Sequence, residues 1–431
     1  MRYIRQRSFL LLLLPALLAG FLLAACNDDP TPVGSTYLPQ NVEFRSYTLK
    51  QGDFEVTTGI SAASNSTAEG AQTVLVGKAA HGTVAQSLLA FTTADSIISG
   101  SAAKPVISAT FTLRSAVYRY GDTASRKISF DVVVLDRVFS SNEKWSDALS
   151  ASVDAAPALG TFTGTYNDTT AITVNLDPAA TQKFLQEYFT YDSVAGLRAL
   201  RTLKTIALRA HDNTGMVASF IGAIGGLDTL RPALNIKVAD TTIILRAGTS
   251  AWIASNDIPV GGKNFIIGAG IPVRALINLN IDSIPDVATI HKAELILHMD
   301  TANSSFGSAG TPNFLATYIA TDTSFAPLSY LKGGTSGLIP VDRIAQDSVK
   351  FTNIFRMTNL APTISSWLHN RRGTGGLKNQ GLILAFNRSG NHPNYEAATV
   401  DRVAFFGPDA ADPALRPSLT IIYSVQVDAK K

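Results

Sequence analysis

About 185 residues after each of several segments the sequence returns to the same pattern, and this duplication constrains the fold more than any other feature. Leu230-Arg231-Pro232-Ala233-Leu234-Asn235-Ile236 matches Leu415-Arg416-Pro417-Ser418-Leu419-Thr420-Ile421 at an offset of 185. Ser108–Leu113 (SATFTL) matches Lys292–Leu297 (KAELIL) at 184, and Ser87–Phe91 (SLLAF) matches Ala275–Leu279 (ALINL) at 188. Between these marks each half carries a strand and then a helix candidate: Ile172–Leu176 with Pro178–Phe189, and Phe351–Met357 with Ala361–Asn370. A further strand follows each, Ile206–Ala210 or Leu382–Phe386. Five correspondences in one order, at a nearly constant offset, mean that both halves share one architecture.

That architecture reads as β. Only 7 of the 33 acidic residues are glutamate, and Thr, Val and Ile are plentiful, which disfavours helix and favours strand. Short apolar or alternating runs recur between Gly, Pro, Asn and Asp clusters: Thr73–Val76, Ile128–Leu135, Ala171–Leu176, Thr205–Ala210 and Ala233–Val238. In Ser108–Leu113, Ser and Thr alternate with Ala, Phe and Leu, so one face is wet and one buried. Pro232 and Pro417 open the last strand of each half, where a missing N–H does least harm. Of the two helices, the first has Phe184, Leu185, Tyr188 and Phe189 on one face, with Asp177 as N-cap and Pro178 at its first position. The second has Ile364, Trp367 and Leu368, with Asn359 or Thr363 at its start. The expectation is all-β: two tandem antiparallel β-sandwiches, jelly-roll-like, each with one short helix, at 45–243 and 244–426.

The first 25 residues read as an export signal. Arg2, Arg5 and Arg7 precede an apolar run from Phe9 to Ala25, short for a bilayer span of about 20 residues. It ends in Leu23-Ala24-Ala25-Cys26, small residues before the only cysteine of the chain. That cysteine resembles the lipobox of bacterial lipoproteins, in which the thiol is acylated and becomes the new N-terminus. A single thiol forms no internal disulfide, and lipidation accounts for it; two or more acyl chains suffice for stable anchoring. Cleavage before Cys26 leaves 406 of 431 residues and removes three arginines from a formal charge of +3, so the mature chain is neutral. It then has no basic excess for nucleic acid or an anionic membrane surface. Residues 26–44, rich in Pro, Gly and Asp, read as an extended tether. Their acidic start resembles surface lipoproteins of the Bacteroidetes type, which implies display on the outer face of the outer membrane. The alternative is a lipoprotein facing the periplasm.

Each repeat also resembles the DNRLRE-type domains, β-sandwich modules similar to carbohydrate-binding modules. The resemblance rests on the Leu-Leu-x-Phe and Ala-x-Phe/Leu-x-Leu strands, Asn379-Gln380-Gly381-Leu382 and the closing Arg-Pro-x-Leu-x-Ile. In the first half Leu203-Lys204-Thr205-Ile206 stands where the Asn-Gly-Leu element belongs, and the family's name-giving stretch is not readable. The resemblance implies a sandwich; a ligand has to be argued from a site.

No reactive constellation stands out. The histidines, His81, His211, His291, His298, His369 and His392, have no metal-ligand spacing. His-Glu-x-x-His, Gly-x-Ser-x-Gly and Walker-type motifs are absent from the sequence. No pair of carboxylates suggests a glycosidase, and no cofactor is expected. Rings able to stack on sugars are Trp145, Tyr118 and Tyr120, with Asp122 nearby, and Trp252, Tyr318, Tyr330 and Tyr395; filling a core is the competing use of each.

One triplet recurs nine times: Asp, then Ser or Thr, then Ala, Ile, Leu, Val or Thr. Composition alone gives about two, and the local hydrogen bonding of Asp-Ser and Asp-Thr in turns explains the pairs but less well the third residue, apolar in most of them. The triplet resembles the O-glycosylation acceptor of Bacteroidetes-type envelope proteins, which implies modification at Ser96, Thr123, Thr169, Ser193, Thr229, Thr241, Ser283, Thr301 and Ser348. The functional expectation is a non-enzymatic binding or adhesion protein held to the membrane by a lipid on Cys26, with polysaccharide as a ligand. The alternative is an assembly lipoprotein that docks to an envelope protein complex without binding sugar.

Overall fold

The computed structural model describes residues 42–427 apart from 61–71, 80–81, 94–103, 138, 140–145, 189–200, 203–204, 212–214, 224–226, 240, 256–263, 271–272, 309–313, 321–337, 347–352 and 387–398. Alternation does what the sequence leads one to expect. In β5 (Val106–Gly121), Ala109, Phe111 and Leu113 are buried while Ser108 and Arg114 face water. Strands β3 (Thr73–Lys78), β4 (Val84–Thr93), β6 (Lys127–Val134), β8 (Ala171–Leu176), β10 (Ile206–Ala210) and β12 (Ala233–Val238) lie where apolar runs predict them. In the second half β15 (Val273–Leu279), β16 (Thr289–His298), β19 (Ile354–Met357), β20 (Leu382–Phe386) and β22 (Ser418–Gln426) do the same. Fitting both halves are β7 (Ala158–Thr165), β9 (Arg201–Thr202) and β11 (Met216–Ile221), and β14 (Asn264–Gly268), β17 (Phe314–Ala320), β18 (Leu338–Gln346) and β21 (Arg402–Phe406).

The fold is all-β, built as two sandwiches. In the first, β12, β5 and β8 form one layer and β11-β3-β4-β10-β6-β7 the other. Phe111, Phe130, Phe220, Leu208 and Leu234 fill the space between them. The second repeats most of this pairing, although β18 and β19 pair only there and β9 and β4 only in the first. Glu294 sits opposite Thr420 just as Thr110 sits opposite Asn235.

The closing strands depart from the expected boundaries. The last strand of each half is followed or flanked by another that the 45–243 and 244–426 division misplaces. β13 (Thr241–Ser255) turns back from β12, pairs along it, and then crosses to pair with β4 in the other layer. It therefore completes the first sandwich, although it lies mostly beyond residue 243. The equivalent places in the second sandwich are filled from the chain's start. β1 (Val42–Thr48) pairs with β22, and β2 (Phe54–Ile60) pairs with β15. The first sandwich is thus continuous, 73–255, and the second is made of 42–60 and 264–426. One is a circular permutation of the other, and the chain crosses between them twice.

Helices also differ in part. Besides α2 (Pro178–Tyr188) and α3 (Ala361–Arg371), both anticipated, the first half contains α1 (Asp147–Ala155), so one helix per half is an undercount. Ser146 caps α1 by accepting from the Leu149 N–H at 3.1 Å. Leu149, Val153 and Ala156, at i, i+4 and i+7, then pack on Leu88, Val133 and Ala207 on the outside of the sheet. Asp177 does cap α2, accepting from the Ala180 N–H at 2.6 Å. For α3 neither Asn359 nor Thr363 is the cap: Leu360 holds that place with no side-chain bond, and Pro362 in the first turn removes an N–H that would need one. Trp367 and Phe184 are buried in their respective cores.

Candidate functional site

Two places gather polar or aromatic groups in a way that needs explaining. The first is the contact between sandwiches. Tyr118 and Tyr120 on β5 and Trp252 on β13 meet Leu75, Val217 and Val400 in one apolar cluster. Asp401, fully buried, accepts the Tyr118 hydroxyl at 2.6 Å and the Gly307 N–H at 2.8 Å. The Val400 N–H donates to the Tyr118 oxygen at 3.1 Å. Arg119 and Ser308 exchange two further bonds across the gap, through backbone and side chain. Three rings suited to stacking on sugar are therefore interface rings, because a sheet face that a neighbouring sandwich covers has to be apolar. Asp122 sits apart from them in the β5–β6 turn, where it accepts from the Ser125 N–H at 3.2 Å. Trp145, Tyr330 and Tyr395, and the side chain of Tyr318, lie outside the described residues.

The second is a polar strip on the outer face of β6, β7 and β10. Ser129 and Asp131 alternate on β6, opposite Thr163 and Thr161 of β7. Arg209 and His211 alternate at the end of β10. His211 Nε2 lies 2.9 Å from Asp131 Oδ2, and its Nδ1 lies 3.1 Å from the Ser129 hydroxyl. The order Ser–His–Asp invites a nucleophile reading. The surroundings argue for another use. Arg209 donates to the same Asp131 oxygen through Nε and Nη2, at 3.1 and 2.8 Å. Its Nη1 reaches the carbonyls of Val153, Asp154 and Ala156, where α1 ends. A cation on the last carbonyls satisfies groups that a helix leaves unpaired and complements its dipole. Asp131 orients that cation and so clips α1 to the sheet. β6 is paired on both sides, by β7 and β10, so the strand does not turn a pair of free N–H groups toward Ser129 as an oxyanion site requires.

Burial alone pushes the Asp131 carboxyl up, but the bonds from Thr161, Arg209 and His211 outweigh it and hold the group below its ordinary range. A depressed carboxylate contributes stability above its unfolded pKa of about 3.9, and that contribution is lost as pH falls through the lower folded value. Asp131→Asn is expected to cost about 1.5–3 kcal/mol at neutral pH. In urea titrations from pH 7 to 2 the gap to the parent should close at the acid end; a gap independent of pH would contradict this assignment.

This network is not among the residues that the sequence marks out. Its signal was present in Ser129-x-Asp131 and Arg209-x-His211, polar pairs at strand spacing, but such pairs also describe any solvated sheet face. Among the described residues no group of three or more His, Cys, Asp or Glu could hold a metal.

The triplet hydroxyls have a common setting. Thr123, Thr169, Ser283 and Thr301 are in turns or bends, Thr229 is in a single 3-10 turn, and Thr241 begins β13. Thr123 is half-buried and the other five are exposed. Three of their aspartates pair with arginines from other parts of the chain: Asp168 with Arg119 at 3.2 Å, Asp228 with Arg246 at 2.9 Å, and Asp282 with Arg371 at 3.3 Å. Asp300 accepts from the Ala302 N–H at 3.0 Å. Ser96, Ser193 and Ser348 lie outside the described residues, as do Cys26, the leader and the tether as far as residue 41; residues 42–44, expected to end the tether, belong instead to strand β1 because they pair with β22. No described helix is long and apolar enough to cross a membrane. Neither a protein-family model nor a curated protein matches the chain.

Proposed function

We propose that the chain is a lipid-anchored protein of the bacterial outer membrane, displayed at the cell surface, that works by binding and not by catalysis. The observation that supports it is how the anchor sequence joins the fold. Cys26 follows an apolar leader, and after only 15 residues, 27–41, the chain enters β1 and becomes part of a sandwich. A lipid there would hold two packed sandwiches close to the bilayer. Replacing Cys26 by Ser in the native host is expected to leave the leader uncut at that position and to remove lipid labelling of the protein. Unchanged maturation and unchanged membrane fractionation would sink the reading.

Of the two kinds of partner, an envelope protein complex fits better than a polysaccharide. The specific observation is that Tyr118, Tyr120 and Trp252 are used between the sandwiches. Sugar binding then rests on Trp145, Tyr318, Tyr330 and Tyr395. A glycan array set beside chemical cross-linking in intact cells separates the two: docking predicts a cross-linked envelope protein and a blank array.

Glycans on the triplet hydroxyls belong to the same reading. Exposed turns are where a transferase can reach a folded acceptor, and all six described acceptors lie in turns or at element ends. Intact-mass measurement on protein from the native host is expected to show added hexose-type increments; the mass of lipidated polypeptide alone would overturn it.

A further inference from the structure

β1 ends the sheet of the second sandwich, paired by β22 on one side and by no described strand on the other. Which of its backbone groups face outward follows from the register. The Leu49 N–H donates to the Leu419 carbonyl at 2.9 Å, and positions 42–48 continue the same alignment onto β22. Antiparallel ladders alternate hydrogen-bonded and non-bonded pairs, so Glu43, Arg45 and Tyr47 turn their N–H and C=O toward β22. Val42, Phe44, Ser46 and Thr48 turn theirs outward. This open edge also carries Phe44, 62% exposed, with its ring 5.0 Å from that of His291. Exposed edges are usually blunted by like charges that repel another strand. Here the two charges are opposite and adjacent: Arg45 donates to Glu43 at 2.8 Å.

We propose that a second copy of this chain pairs with the open edge, β1 against β1, antiparallel about a two-fold axis at Phe44. That register makes three hydrogen-bonded pairs, Phe44 with Phe44 and Val42 with Ser46 twice over. It sets Glu43 opposite Arg45 of the second copy, and Arg45 opposite its Glu43, in the close non-bonded positions where opposite charges attract. Shifting the axis to Arg45 would place arginine against arginine, and shifting it to Ser46 would leave Glu43 opposite Leu49. Only the Phe44 axis is complementary in charge. The corresponding edge of the first sandwich has no such extension, because β13 arises directly from the hairpin with β12 and Arg246 on it is tied to Asp228. Both anchors can still reach one membrane, since residues 27–41 span up to about 50 Å when extended.

The test uses the full chain after the leader, with Cys26→Ser so that an introduced thiol is the only one. Phe44→Cys faces itself across the axis, and because the Cβ atoms of a hydrogen-bonded pair stand wider than a disulfide prefers, a short bifunctional thiol reagent is expected to link the two copies. Ser46→Cys, equally on the edge, faces Val42 and should link at least about tenfold more slowly. Adding Arg45→Glu to Phe44→Cys sets like charges opposite each other and should slow linking about tenfold; adding Glu43→Arg as well should restore it. Failure of Phe44→Cys to dimerise, equal linking by Ser46→Cys, or indifference to the charge exchange would each overturn the proposal. None of these outcomes depends on the lipid.

Discussion

A chain beginning at residue 61 is expected to keep its first sandwich folded and to lose its second. The removed segment carries Leu49 and Phe54, both buried in the second core, with Tyr47 and Val56 packed beside them. Burying each of the first two side chains is worth about 1.5–3 kcal/mol. Their loss also strips seven paired residues from β22 and seven from β15. Against a domain stability of about 5–15 kcal/mol, that loss is decisive. Hydrogen exchange should show the amides of β14–β22 exchanging freely while those of β3–β13 stay protected. A synthetic peptide of residues 42–60, added in trans, should restore protection. Equal protection of both halves in the shortened chain would refute the interlocked assembly.

The second large effect is expected at the contact between sandwiches. Gly307 leaves no room for a Cβ, which would overlap the Arg119 carbonyl and the Tyr118 ring. Gly307→Val therefore has to push the two bodies apart, and overpacking of this sort costs about 1–3 kcal/mol or more. It also separates Asp401 from Tyr118, leaving buried polar groups without partners at about 1–3 kcal/mol each. In calorimetry the parent should melt with its halves coupled, and Gly307→Val should split the transition in two. Tyr118→Phe, which keeps the shape and deletes one hydroxyl, should give a smaller shift in the same direction. An unsplit transition in Gly307→Val would mean that the contact does not couple the halves.

Local pattern made most of the strands legible, because the burial of Phe111 and Leu113 beside exposed Ser108 depends only on neighbours along the chain. What escaped was pairing at a distance. Alternation tells a strand which face is buried, never which sheet it borders, and Val42 meets Gln426 across almost the whole sequence. The match between the start of the chain and β13 was also hidden by spacing. β13 changes layers through a bulge between Ala247 and Thr249, whereas β1 and β2 do so through a separate 3-10 turn at Gln51–Asp53. α1 was missed because its nine residues, apart from Leu149 and Val153, are Ala, Ser and Asp, which leave only two large apolar positions to mark a helical face. The rings were visible, but exposure is decided by the neighbouring sandwich, and no local signal reports that.

Entry of the tether into β1 has a mechanical consequence. Traction between an anchored Cys26 and anything gripping the first sandwich travels along residues 42–60 and on to β3. It does not run through the core of the second sandwich, which clasps that line sideways through the β22 and β15 ladders. Were Cys26 anchored, tension would load those two ladders before the core of the first sandwich, and their opening would lengthen the leash by the residues of β1 and β2.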